Sequence, residues 1–284
     1  MIKVIIILLS IALGCITAFL GFNNFELIYK VLIAIAFSIL FIIGIAVLFF
    51  IILFILTIGE SKNKEREKQS KFYRRVLLFY NKFLFSLFSM TIEYSGIEKM
   101  DGIEQALIIS NHRSNLDSLI IDNYLKDYPL VFVAKKSLFK IPFVGRLIHG
   151  CNYICLDRKN LKQELLAIRK GINILNDKSE KCSVGVFPEG TRILNEDYSL
   201  AEFRPGCFNL AKKSHVPIVI FALKNTDKVN NGLLIKIHHI KCHLIKVLYY
   251  DDYKDLNTIE LANLSKEIIG QYLKEEIWYE IRSF

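Results

Sequence analysis

Residues 31–59 contain no charged side chain. As a helix this run would extend about 43 Å, more than the ~30 Å hydrocarbon core of a bilayer. The surplus allows tilt or extension beyond the hydrocarbon. Upstream, residues 4–22 are apolar or small throughout, enough for roughly 28 Å of helix. Only the break "NNFELIYK" separates the two runs. Two spans or one deep hairpin satisfy this pattern, and residues 1–59 are expected to form an N-terminal hydrophobic membrane hairpin. Lys3 and a short apolar core make a cleaved signal peptide the alternative for the first run. The stretch "ALGC" ending at Cys15 even resembles a lipoprotein cleavage site, although Ala12 stands where a larger aliphatic is usual. Because a second apolar run follows directly, retention as an anchor is the simpler expectation.

The flanks give an orientation. Residues 60–75 carry seven Lys/Arg and three Glu, whereas the break between the apolar runs holds only Glu26 and Lys30. The positive-inside rule then puts the C-terminal bulk in the cytoplasm. Basic residues so close to a span also attract anionic membrane lipids, at about 1 kcal/mol each near the surface. The next stretch, "FYRRVLLFYNKFLFSLFSM", is rich in aromatics, with Arg74, Arg75, Asn81, Lys82, Ser86 and Ser89 near helical spacing. It reads equally as an interfacial helix or as an ordinary docking helix, so residues 60–90 form a basic and aromatic interfacial segment.

From residue 91 onward the pattern changes. The short apolar runs "ALIIS", "LVFVA", "YICLD", "SVGVF", "VPIVIFAL", "LLIKIHHI" and "KCHLIKVLY" alternate with helical stretches at 161–175 and 259–276. This predicts, over 91–284, one cytosolic α/β domain with a mixed sheet covered by helices. Cys15, Cys151, Cys155, Cys182, Cys207 and Cys242 form no C-x-x-C pair and read as reduced, small apolar residues. The net charge of +9 calls for an anionic partner: nucleic acid, acidic lipid or an acidic carrier protein.

Two constellations carry chemistry. In "NHRSNLD", His112 and Asp117 lie five residues apart, about 140° around a continuous helix, where they would not meet. If the segment is instead a loop running from "ALIIS" into a helix beginning near Asp117, the carboxylate can accept from the imidazole Nδ1–H. Nε2 is then left as a base. A histidine closing a turn beside an N-capping aspartate is the alternative. In "GVFPEGTR" a strand-like run ends in a tight turn. There Gly190 permits close backbone approach, Thr191 and the amides can hold oxygens, and Arg192 offers a planar fork for phosphate. Glu189 could serve only as an ion-pair partner of Arg192. No Walker loop and no G-x-G-x-x-G occurs, which leaves ATP and NAD without support. Lys135, Lys136, Lys140, Arg146 and Arg158 are interleaved with apolar residues and suit an anionic amphiphile or simple solvation; Arg158, after a strand-like run, is the stronger candidate. His238, His239 and His243 sit in an alternating run that sends neighbours to opposite faces, so no metal site is expected.

Taken in order and spacing, "NHRSNLD", "YICLDR", "FPEGTR" and "VPIVI" resemble the four motifs of the glycerophospholipid acyltransferase family, over residues 110–226. The resemblance implies catalytic roles for His112 and Asp117. It implies contacts to a glycerol phosphate from Glu189, Gly190, Thr191 and Arg192, with Lys135 and Arg158 also touching phosphate. It further implies transfer of a fatty acyl group to the free sn-2 hydroxyl of lysophosphatidic acid, with no bound cofactor or metal. The donor would be an acyl-CoA or acyl-carrier-protein thioester, and no nucleic acid would be bound. Ile220 stands where the fourth motif often has a second proline, a departure that bears on donor preference. Another lysophospholipid or a lyso-aminolipid is the alternative acceptor; a membrane-tethered binding protein is the alternative class.

Overall fold

The computed structural model describes residues 2–22, 24–60, 65–195, 197–229 and 236–282. The chain divides into two compact units, Met1–Ser61 and Lys62–Phe284. In the first, α1 (Ile2–Gly21) packs on α2 (Leu27–Thr57). Small residues let the two backbones approach: a side chain on Gly14 would collide with the Ala34 carbonyl and with Ser38. Ser38 Oγ returns its own hydrogen bond to Ala34 O at 2.7 Å, so the polar atom is satisfied inside its helix. Most of the remaining apolar side chains face outward, and both helices are long and apolar enough to cross a membrane.

The second unit runs α3 (Lys71–Leu87), β1 (Met90–Ser95), β2 (Leu107–Ser110), α4 (Asp117–Tyr124), β3 (Leu130–Lys135), α5 (Val144–Gly150), β4 (Ile154–Leu156), α6 (Leu161–Asn176), β5 (Ser183–Val186), α7 (Asn209–Ser214), β6 (Ile218–Lys224), β7 (His238–Leu248), α8 (Tyr250–Tyr253) and α9 (Thr258–Arg282). The seven strands form one sheet in the order β1-β7-β6-β2-β5-β3-β4. Five neighbours, β6 through β4, are mutually parallel; β7 joins β6 antiparallel and β1 lies parallel to β7. This is the mixed, helix-covered sheet expected from the alternating runs. The central strands β2, β5 and β6 are buried along their whole length, as strands covered on both faces must be. Each wholly buried Ile, Leu or Val there stabilises the domain by about 1.5–3 kcal/mol.

Three details depart from the sequence reading. "LLIKIHHI" and "KCHLIKVLY" are not two strands: His238–Leu248 is one continuous strand, and residues 230–235 lie outside the described part. Within it His238 is buried and His239 exposed, the alternation expected. The polar residues of α3 are divided between its buried and exposed faces. Arg74 and Asn81 are buried and pin α3 to α4: Arg74 pairs with Asp122 and donates to the carbonyls of Leu125 and Tyr128 at 3.3 and 3.2 Å. Asn81 Nδ2 donates to Leu119 O at 3.3 Å. What α3 exposes is Lys71, Phe72, Arg75, Phe79 and Lys82, with Phe72 50% and Phe79 64% accessible. Finally, Ile220 is a buried central residue of β6 paired to Ile109 on one side and Lys246 on the other, with a register shift just after it. A bulge is where a sheet tolerates the loss of a ladder bond, so the backbone at Ile220 sits beside a place where the pairing is already interrupted.

Candidate active site

The parallel strands β2, β5, β3 and β4 all end on one rim of the sheet; β2, β5 and β4 each deliver a motif there, and β3 ends in Lys135. β2 ends at Ser110 and leads through 111–116 into α4, whose first residue is Asp117. That is the strand–loop–helix arrangement that lets His112 and Asp117 meet. The base of the loop is fixed by Asn111, whose amide bridges the backbone of Leu223, accepting from its N–H at 2.8 Å and donating to its carbonyl at 2.9 Å. The chain then folds so that His112 Nδ1 lies 2.8 Å from Asp117 Oδ2. The same carboxylate oxygen accepts from the backbone amides of Arg113 and Ser114 at 2.6 and 2.7 Å. Asp117 is fully buried, while the His112 side chain retains 22% exposure. Three donors on one oxygen leave the carboxylate little freedom, and the imidazole is held by an acceptor at Nδ1 with Nε2 as its remaining ring nitrogen. Phe187 stacks on the His112 ring at 4.3 Å and is itself stacked on Phe132, which sets the ring plane.

β5 ends at Val186 and continues into Phe187-Pro188-Glu189-Gly190-Thr191-Arg192. In place of an ion pair with Arg192, Glu189 accepts from the His112 backbone N–H at 2.8 Å through Oε1 and from the Ala201 N–H at 3.1 Å through Oε2. Burial pushes its carboxyl pKa up, and these two amides partly offset the effect. Glu189 therefore ties the turn to His112 and to the far end of the 190–201 loop. Ile193 N–H adds a bond to His112 O at 3.0 Å. Gly190 has φ of +68°, a left-handed conformation that favours glycine. Thr191 and Arg192 follow on the surface.

Lys135 closes β3, exposed, in register with Leu156 of β4. Arg158 follows β4 and donates Nη1 to the carbonyl of Gly190, so the second and third motifs touch. Its pKa is lowered, first by burial and then by the nearby charge of Arg204. Lys136 is occupied by an exposed ion pair with Asp157 at 2.8 Å. Among the described residues, no group of His, Cys, Asp or Glu is arranged to hold a metal ion.

Two contributors were not legible in the sequence reading. Arg113 threads from the His112 loop to Asp227 (3.0 Å) and Asn195 O (2.6 Å), with its guanidinium over the Tyr198 ring, and so fastens the loop after the glycine turn. Arg204 lies on the returning limb of that loop, its backbone N–H on Pro188 O at 3.0 Å. Nothing local marks either residue; their partners are 82 or more positions away for Arg113, and the glycine turn approached by Arg204 is 14 positions back in sequence.

An α/β domain with a buried carboxylate holding a histidine at the strand ends, beside a glycine turn flanked by guanidinium groups, has the groups needed to activate a hydroxyl close to an anionic group. Residues 91–224 match the family model described as Acyltransferase, and the chain belongs to that family. It is 32% identical over 155 residues to the 1-acyl-sn-glycerol-3-phosphate acyltransferase of Salmonella typhimurium, covering 52% of this chain and 61% of that protein. The Escherichia coli protein of the same name is 31% identical over 195 residues, covering 66% of this chain and 75% of the relative. In fold, the chain resembles the crystal structure of the 1-acyl-sn-glycerophosphate acyltransferase from Thermotoga maritima, with a TM-score of 0.59 at 19% identity, covering 80% of this chain and 88% of that one.

Proposed function

We propose that this protein transfers a fatty acyl group from a thioester to the free sn-2 hydroxyl of 1-acyl-glycerol 3-phosphate, giving phosphatidic acid for phospholipid synthesis. The observation that carries the reading is the 2.8 Å contact between His112 Nδ1 and Asp117 Oδ2 on the rim that also holds the Gly190 turn. In this route His112 Nε2 takes the hydroxyl proton as the oxygen attacks the thioester carbonyl. Collapse of the tetrahedral intermediate breaks the carbon–sulfur bond, and the imidazolium returns its proton to the departing thiolate. Asp117 holds the ring and steadies its positive charge. General-base assistance of this kind contributes about 10²–10⁴-fold. The chemistry is complete with acyl-CoA or acyl carrier protein as co-substrate and draws on no bound cofactor or metal. Names carried by the relatives support the same acceptor.

The same reading places the protein at the cell membrane, with the Lys62–Phe284 unit on the cytoplasmic side. Two apolar helices supply the anchor, and the basic run 60–75 favours that side and the anionic lipids there. The outward face of α3, Phe72 and Phe79 alternating with Arg75 and Lys82, suits the headgroup boundary. The test is transfer of a radiolabelled acyl chain to lysophosphatidic acid in matched membranes, with the unaltered protein and His112→Ala. Phosphatidic acid formed only by the unaltered protein supports acceptor and base together. Equal product from both removes the mechanism, and silence of the unaltered chain with both donors removes the acceptor.

A further inference from the structure

Arg204 belongs to none of the four motifs, yet it is built into the glycine turn. Its backbone N–H holds Pro188 O at 3.0 Å, and its side chain lies across Gly190. A methyl group on Gly190 would come within 2.7 Å of Arg204 Nε, 3.2 Å of Cδ and 3.3 Å of Cζ. Glycine at 190 is favoured by its positive φ, and any larger residue there would displace the arginine side chain resting on it. Arg158 reaches the same residue from the end of β4, through its donation to the Gly190 carbonyl. The two cations are near enough for Arg204 to depress the protonation of Arg158. Among the described residues, no carboxylate forms an ion pair with either guanidinium; Glu164 acts on Arg158 only as a longer-range attraction.

Two like charges gathered at one residue repel unless an anion joins them. Each fork presents parallel N–H donors of the geometry that phosphate oxygens accept. We propose that Arg204 joins Arg158 at Gly190 as the second arm of a clamp on the phosphate of the acyl acceptor. The inference rests on the reading of this site as one for a phosphorylated lyso-lipid. It adds a residue to the site and a reason for the selectivity: the pair favours a phosphate-bearing acceptor over a monoacylglycerol of the same chain.

The first test is steady-state kinetics of the full-length protein with Arg204→Gln and Arg204→Lys. Loss of one charged two-point contact should raise KM for lysophosphatidic acid roughly tenfold to a hundredfold. The loss should fall on KM rather than kcat, leave the thioester KM in place, and shrink the preference over monoacylglycerol. The lysine variant, keeping charge but losing the fork, should fall between. The second test needs no turnover. Phenylglyoxal modification of the unaltered protein, mapped by mass spectrometry, should spare Arg204 when lysophosphatidic acid is present and not when monoacylglycerol is. An unchanged KM in Arg204→Gln overturns the proposal, and so does labelling of Arg204 that lysophosphatidic acid does not reduce. If the unaltered chain acylates no lysophosphatidic acid, the functional reading falls while the protection experiment still decides the clamp.

Discussion

Asp117 shows how much one oxygen can be asked to do. Its Oδ2 receives the imidazole and two backbone amides, while Oδ1 is buried with no hydrogen-bond partner among the described residues. Asparagine in its place can still offer one oxygen, but it removes the charge that steadies the imidazolium and puts an amide N–H₂ where Oδ1 finds no partner. Asp117→Asn is therefore expected to lower kcat at least about a hundredfold. It should also cost about 1–3 kcal/mol of stability through the unsatisfied amide. Kinetics beside thermal unfolding in detergent separates the two losses; full kcat with a lowered melting temperature would leave Asp117 a structural cap and nothing more. The His–Asp pair could be read from the chain because both partners lie in one seven-residue loop. Glu189 could be seen but not placed, since its partners are backbone amides at positions 112 and 201, which no side-chain pattern records. Arg113 and Arg204 work through contacts made only once the sheet has assembled.

At the scale of elements, α3 carries the clearest lesson. Its periodicity and aromatic content are plain in the sequence, but one buried ion pair draws Arg74 inward while Arg75 and Lys82 stay at the surface. Arg74 and Asp122 sit at 7% and 0% exposure and rely on each other. Burial pushes the Asp122 carboxyl up, and Arg74 and Asn81 pull against that. Arg74→Met strands the carboxylate in the interior and is expected to destabilise the protein by about 3–5 kcal/mol. Pairing it with Asp122→Leu should recover most of that loss, because an apolar pair of similar volume avoids the desolvation penalty. Chemical denaturation of the three variants checks this, and a double variant as unstable as the single one would contradict it. Strand legibility followed burial in the same way. The wholly buried runs of β2, β5 and β6 and the buried first half of β3 announce themselves, whereas the partly exposed β1 (Met90–Ser95), with its burial alternating, offers no apolar run to read. β7 was split because Lys241 and His243 interrupt its hydrophobicity on the more accessible face.

For the whole molecule the governing fact is that charge and apolar surface are separated along the chain. The apolar helices of the first unit expose most of their surface, while the second unit holds most of the 37 Lys and Arg residues behind a net charge of +9. Loops near a span follow their basic residues to the cytoplasmic side, and seven Lys/Arg in 60–75 stand against the single Lys30 in the first turn of α2. The proposed cytosolic thioester donor requires the site to face that side, which makes the orientation a test of the proposal. In inside-out membrane vesicles an added protease should digest the Lys62–Phe284 unit, and in right-side-out vesicles it should leave that unit intact. Replacing Lys62, Lys64, Arg66 and Lys68 by glutamine leaves Lys71, Arg74 and Arg75 to set the bias. A fraction of that variant should become digestible from the outside. Digestion of the unaltered protein from the outside would reverse the orientation and separate His112 from every cytosolic acyl donor, whatever the geometry of the site.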